Sequence, residues 1–329
     1  MIWERRDYGA EGPGSLLWVE GRLFDVSRGW LRLDEPARSV FTAFGKLDAA
    51  VPSPRGDLCA LVDSDGTKAL LLTPGGRVVR EINRSWYCAT SYRYPLALFT
   101  LPDGQTGIAH CPEHYNVLEI EVAATGERLT ARPQGGAADV FHSRLQASPS
   151  GARLLSAGWV WHPLGVVGVF DVREVLDDPR RLDAGPWSDP DSLASAIDAE
   201  VSGACWVDED VVFATSAESL NNDDGIGTHM MCRWSAAQQA FVWQRSVSTG
   251  LGDLVSFHGD FLSLNGHPQL FDGRTGTVLY EWPDVNLPST DGSFFVSNVR
   301  AGSALAAVDP TSRRVAFSLP DRVVVFTQQ

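Results

Sequence analysis

The sequence predicts an all-β fold: a single β-propeller of seven four-stranded blades over residues 1–329, its ring closed by the N-terminal strand. Three observations carry this. Gly 31 and Pro 19 punctuate the 329 residues too often for long helices and suit short strands joined by tight turns. One strand–turn–strand block recurs through the chain. The last repeat lacks a final strand, and the first residues offer one.

The block is clearest at Ala147-Ser148-Pro149-Ser150-Gly151-Ala152-Arg153-Leu154-Leu155. It returns at Val51-Pro52-Ser53-Pro54-Arg55-Gly56 and at Val308-Asp309-Pro310-Thr311-Ser312. Weaker copies put first turns near Glu20, Pro54, Pro102, Pro149, Asp208, His258 and Pro310, 34 to 59 residues apart. Units of roughly 40–50 residues with four strands each are the period of a propeller. Third strands are expected at Lys68 to Thr73, Val166 to Val172 and Arg322 to Thr327. Inner strands are expected at 16–19, 49–52, 96–101, 144–148, 203–207, 254–257 and 304–309. The last unit stops after its third strand. Ile2-Trp3-Glu4-Arg5-Arg6 resembles fourth strands such as Phe241-Val242-Trp243-Gln244-Arg245, so it is expected to complete the last blade, burying Ile2 and Trp3 and removing two sheet edges. Pro190 behind Ser188 or Asp189, with Leu193, Ile197 and Val201 four apart, predicts a short helical insert over 188–201.

The Ser-Pro-x-Gly turns at Ser53 to Gly56 and Ser148 to Gly151, with third strands ending Phe170-Asp171 and Phe271-Asp272, resemble the WD40-like propeller superfamily along the whole chain. There is no Trp-Asp dipeptide, and Gly266-His267 is misplaced in its unit, so the superfamily's His/Asp network does not carry over. Thr-Gly turns at Thr125 and Thr275 are similar to those of quinoprotein-type propellers. The resemblance implies a scaffold or interaction role and no chemistry.

Composition narrows the partner. Acids outnumber bases 41 to 27, a net charge of -14, which repels phosphate backbones and argues against nucleic acid. No apolar run of 18 residues spans a membrane, and charges at Glu4, Arg5, Arg6 and Asp7 break the apolar core that a signal peptide needs. Five widely spaced cysteines without a CxxC read as reduced thiols, hence a cytoplasmic protein.

Candidate chemistry is sparse. His110-Cys111-Pro112-Glu113-His114 lacks the second ligand pair that zinc sites use, and Glu218 to Gly225 has only part of a calcium-loop pattern. No nucleophile elbow, P-loop, dinucleotide fingerprint or zincin helix occurs, so no catalytic residue, metal or cofactor is expected. The alternative to a scaffold is a hydrolase or lyase with a metal or small-molecule site at the central channel.

Loop lengths nominate a face. Loops between strands 1–2 and 3–4 are short. Those on the other face, at 83–95, 134–143, 158–165, 183–203, 217–228 and 284–303, are long, and long loops more often carry function. Arg84, Trp86, Arg93, His114, Trp159, Trp161, His162, Trp187, Asn221, Asp223 and Asp224 are therefore the expected partner-binding residues: an aromatic centre with an acidic rim, suited to a protein or peptide with basic or apolar segments. The competing reading is that the rings fold back and cap blade ends.

Overall fold

Alternating apolar strands separated by tight turns form antiparallel sheets arranged in a ring. A computed structural model describes residues 1–9, 16–26, 31–33, 47–133, 135–161, 164–220, 225–289 and 306–329. The chain opens with β1 (Trp3–Gly9). The first sheet is β2 (Leu16–Val19), β3 (Arg22–Asp25) and β4 (Leu31–Arg32). The second is β5 (Ala49–Pro52), β6 (Cys59–Val62), β7 (Lys68–Leu72) and β8 (Val78–Asn83). The third is β9 (Leu96–Thr100), β10 (Thr106–His110) and β11 (Glu119–Val122). The fourth is β12 (Gln146–Ala147), β13 (Arg153–Val160) and β14 (Leu164–Asp171). The fifth is β15 (Ala199–Val207), β16 (Asp210–Ser219), β17 (Met230–Ser235) and β18 (Ala240–Ser246). The sixth is β19 (Asp253–Phe257), β20 (Asp260–Leu264), β21 (Gln269–Phe271) and β22 (Val278–Glu281). The last is β23 (Ala306–Val308), β24 (Arg314–Leu319) and β25 (Arg322–Gln328), completed by β1.

The expectation of uniform four-stranded blades is corrected. Among the described residues the second, fifth, sixth and last sheets have four strands, and the first, third and fourth have three. In the third sheet the fourth strand shrinks to a bridge between Glu121 and Arg128. In the fourth sheet Asp171 stops the chain from turning back: its Oδ1 accepts from the Arg173 and Glu174 amides at 3.0 and 3.2 Å and caps α1 (Val172–Asp177), so a helix stands where a strand is expected.

The ring closes as expected, with Trp3 opposite Gln328 through Gly9 opposite Arg322. Its packing differs from the expectation. Ile2 is 72% exposed. The Trp3 ring instead meets Trp282, Tyr280 and Phe257 at centroid distances of 5.1, 5.8 and 6.0 Å.

The helix over 188–201 does not form. Only a single 3-10 turn, Ala194–Ala196, occurs there, and Val201 lies within β15. Asp198 donates its amide to Ile226 O at 2.9 Å, and strand pairing begins at Ala199. Leu193, Ile197 and Val201 still share one buried cluster, so the apolar pattern serves core burial in another conformation.

Core clusters lie between neighbouring sheets, each drawing on two blades; Leu262 and Trp282 of the sixth sheet, for example, pack with Phe317 and Phe326 of the last. On the short-loop face polar bonds tie blades together. Arg313 Nη2 meets Asp260 Oδ2 at 2.5 Å, and Arg314 joins buried Asp309 to Gly21 O. Burial alone would raise the Asp309 carboxyl; hydrogen bonds from Ser312 and Thr311, with Arg314, hold it below its ordinary value.

Candidate functional site

The link from β8 to β9 is shaped by one buried cation. Arg84 donates to Gly66 O at 2.7 Å, Ala89 O at 2.8 Å and Ser64 O at 3.2 Å, and its guanidinium lies 4.5 Å from the Tyr92 ring centre. This fixes the turn through Cys88, which adopts a positive φ of 50°, and the 3-10 turn Ala89–Ser91. Trp86 is 81% and Tyr87 40% exposed.

Beneath Tyr87 runs a column of rings from three separate segments. Tyr87 lies 5.0 Å from Tyr115, Tyr115 lies 4.2 Å from Phe141, and Phe141 stacks on Trp159 at 4.0 Å with planes 2° apart. Trp161 sets its edge against Phe141 and Trp159 at 5.7 and 5.3 Å and remains 51% exposed. The difference between the two tryptophans is local. Phe141 and Trp159 exchange backbone hydrogen bonds at 2.9 and 3.1 Å, which turns Trp159 into the stack. Gly158 permits this approach, since a Cβ there would sit 2.2 Å from Phe141 O. Trp161 lies beyond the end of β13, past that clamp.

The sequence-predicted residues thus separate. Trp86 and Trp161 present rings to the outside, and His114 is exposed beside Tyr115. Trp159, expected as a surface anchor, is 2% exposed and is core. Arg84, expected at the interface, is buried and spends its donors on the Ser64, Gly66 and Ala89 carbonyls. Trp187 is exposed but donates Nε1 to Ala194 O at 3.1 Å and packs on the 188–197 segment, apart from the column. His162, Asn221, Asp223 and Asp224 lie outside the described residues. Sequence reasoning missed Tyr115 and Phe141. Phe141 sits in a nominated loop, but nothing local says that it stacks on a residue 18 positions later.

Arg93 turns inward, toward Asp253, instead of outward. It pairs with Asp253 at the start of β19, and Arg144 Nη1 reaches the other carboxylate oxygen at 3.3 Å. Arg144 also donates to Ser202 O at 2.8 Å and Ala157 O at 3.1 Å. Burial pushes its guanidinium down to about 10, opposed by Asp253. Arg93, Arg144 and Asp253, with the Ser202 carbonyl, therefore tie the third, fourth, fifth and sixth sheets together.

The motif around His110 is dispersed. His110 Nε2 lies 3.3 Å from Glu121, Cys111 is buried, and His114 is exposed. Among the described residues no group of three or more His, Cys, Asp or Glu side chains is arranged to hold a metal ion. No described helix is long and apolar enough to cross a membrane.

A chain of the crystal structure of the mitotic checkpoint complex superposes with a TM-score of 0.57 at 13% identity, covering 98% of this chain and 93% of that one. BamB from Moraxella catarrhalis superposes with a TM-score of 0.53 at 8% identity, covering 100% and 98%. No family profile and no curated protein matches the sequence. At these identities the likeness speaks to fold. The fold is a β-propeller, consistent with a WD40-like one.

Proposed function

We propose that this propeller is a non-catalytic interaction scaffold or complex subunit that docks a protein partner on its long-loop face. One observation carries the reading. Among the described residues the exposed large aromatic side chains are Trp86, Tyr87, Trp161 and Trp187, and all four lie in loops of that face. Exposed aromatics on a rigid base are the usual anchors of interfaces, and here the ring column supplies the base. The likeness in fold to a chain of the mitotic checkpoint complex supports a subunit role. The Arg93–Asp253–Arg144 pin favours this face over chemistry in the channel. A net charge of -14 suits a partner with basic or apolar segments. The five free cysteines, four of them buried, accord with a reducing compartment such as the cytoplasm.

The test is affinity capture on the immobilised full chain, followed by titration of the purified partner against Trp86→Ala and Trp161→Ala. Each should weaken binding by about 2 kcal/mol, roughly thirtyfold, without lowering the melting temperature. Unchanged affinity in both variants refutes the aromatic patch as the docking centre.

A further inference from the structure

Gly168 stands inside β14, opposite Ser156 of β13. Glycine weakens a strand interior and often marks a place where a ligand comes close. Its own conformation does not demand it, because its φ lies outside the left-handed region. Its neighbours do not either: a Cβ there would meet only the Phe170 ring, at 3.8 Å, an ordinary contact.

Ser156 shares that face and meets a histidine from the link between the third and fourth sheets. His142 and Ser156 are each 4% exposed, and His142 Nδ1 lies 3.0 Å from Ser156 Oγ. Both side chains, with Gly168, line a cavity of about 370 Å³. Small-molecule sites usually measure about 300–1,000 Å³. Val140, Val166, Phe170 and Val175 give the cavity apolar walls. Among the described residues His142 Nε2 has no hydrogen-bond partner, and a buried polar atom is seldom left without one. If Ser156 donates to Nδ1, Nε2 carries the proton and donates. If Nδ1 donates to Ser156, Nε2 accepts. A hydroxyl or carboxamide answers either form, because each both donates and accepts.

Charge sets the class of ligand. Burial pushes the His142 ring down to about 4, and Arg132 adds to the effect, so the imidazole is neutral at neutral pH. Asp171, Glu174 and Asp189 outnumber Arg153 and Arg181 around the cavity, which disfavours an anion. Glu174 is spent on Arg181 at 2.8 Å, and Asp171 on capping α1. A cation beside a neutral buried ring would lose its hydration uncompensated.

We propose that this cavity binds a small uncharged molecule, an apolar body with one hydroxyl or carboxamide group that hydrogen-bonds His142 Nε2 while the body lies over Gly168. None of the exposed loop rings lines the cavity, so the site does not rest on the docking face.

The experiment screens the full chain against a fragment library of uncharged aryl and alicyclic alcohols and carboxamides. The amine and carboxylate counterpart of each fragment serves as its control. Ligand-observed NMR reads binding, and the ¹⁵N shifts of the His142 ring read where it occurs. Uncharged fragments should bind, move the Nε2 resonance and outcompete their charged counterparts at least tenfold. Gly168→Leu fills the space and should abolish binding without lowering the melting temperature. His142→Leu should weaken binding roughly tenfold, the scale of one hydrogen bond. If either variant fails to fold, the His142 resonance of the parent chain still decides. The proposal is overturned if no uncharged fragment binds, if binders leave the Nε2 resonance in place or tolerate Gly168→Leu, or if the charged counterparts bind as well.

Discussion

Ring closure should rest on Trp3 and not on Ile2. Full burial of a tryptophan makes truncation to alanine cost about 3–5 kcal/mol. Trp3 is only partly buried but touches three rings of the sixth sheet, so Trp3→Ala should cost about 2–3 kcal/mol. At about 2 cal/mol/K of unfolding entropy per residue, a chain of this length loses about 3–4 °C in melting temperature. Ile2→Ala is the internal control: an exposed side chain should change stability by less than about 0.5 kcal/mol. Deleting residues 1–9 removes the whole β1–β25 ladder as well and bares the β25 edge. Each lost ladder bond adds about 0.5–1.5 kcal/mol, so the deletion should reach about 5 kcal/mol or more and promote association through the open edge. Differential scanning calorimetry reads the melting temperatures, and light scattering after size exclusion reads the association. If Trp3→Ala melts with the parent chain, and the deletion melts there too as a monomer, the ring does not depend on β1 and the reasoning fails.

Trp159→Ala should cost about 3–5 kcal/mol by emptying the stack under Phe141, while Trp161→Ala leaves denaturant midpoints nearly unchanged; equal losses would show that both rings are core. Asp253→Ala should cost about 3–5 kcal/mol in urea unfolding, because Arg144 is left buried without its carboxylate; a neutral result would mean that the pin is not the blades' tie. Burial would raise Glu121, but His110 and then Arg80 hold it down at about 2. A depressed folded-state pKa contributes stability that is present above the unfolded value near 4.5 and is lost as pH falls toward 2. Stability should therefore drop by about 3 kcal/mol across that window, and Glu121→Gln should flatten the drop. An unchanged acid limb in Glu121→Gln would refute the assignment.

Much of the fold was legible because its signals are local. Each of the seven expected first turns lies between the first and second strands of a sheet, and the tightest, Glu20-Gly21 and His258-Gly259, use positive φ at both residues. A turn needs only its own few residues to be recognised, and alternation needs only a strand. The β1 pairing was legible for a related reason: a strand without a partner at one end of a repeat needs the odd strand at the other.

The candidate site was legible only as a face. Loop length shows which end of the blades is elaborated, since it counts residues along the chain. Which ring is anchor and which is core depends on segments that the chain brings together from afar. Trp159 became core because Phe141 docks on it across Gly158, and Arg93 turned inward because its carboxylate partner, Asp253, lies 160 residues later in the chain. Residues 193–201 kept their apolar spacing but exchanged a helix for a 3-10 turn and a strand, because Ile226 offered backbone partners that no local pattern announces. Repeat and strand order were thus set by short-range chemistry in the sequence itself, and closure by the match between an odd strand and a distant repeat that lacks one. The division of the aromatic and charged residues between core, channel and surface was decided by tertiary packing, because burial and pairing belong to the neighbours a side chain finds in space.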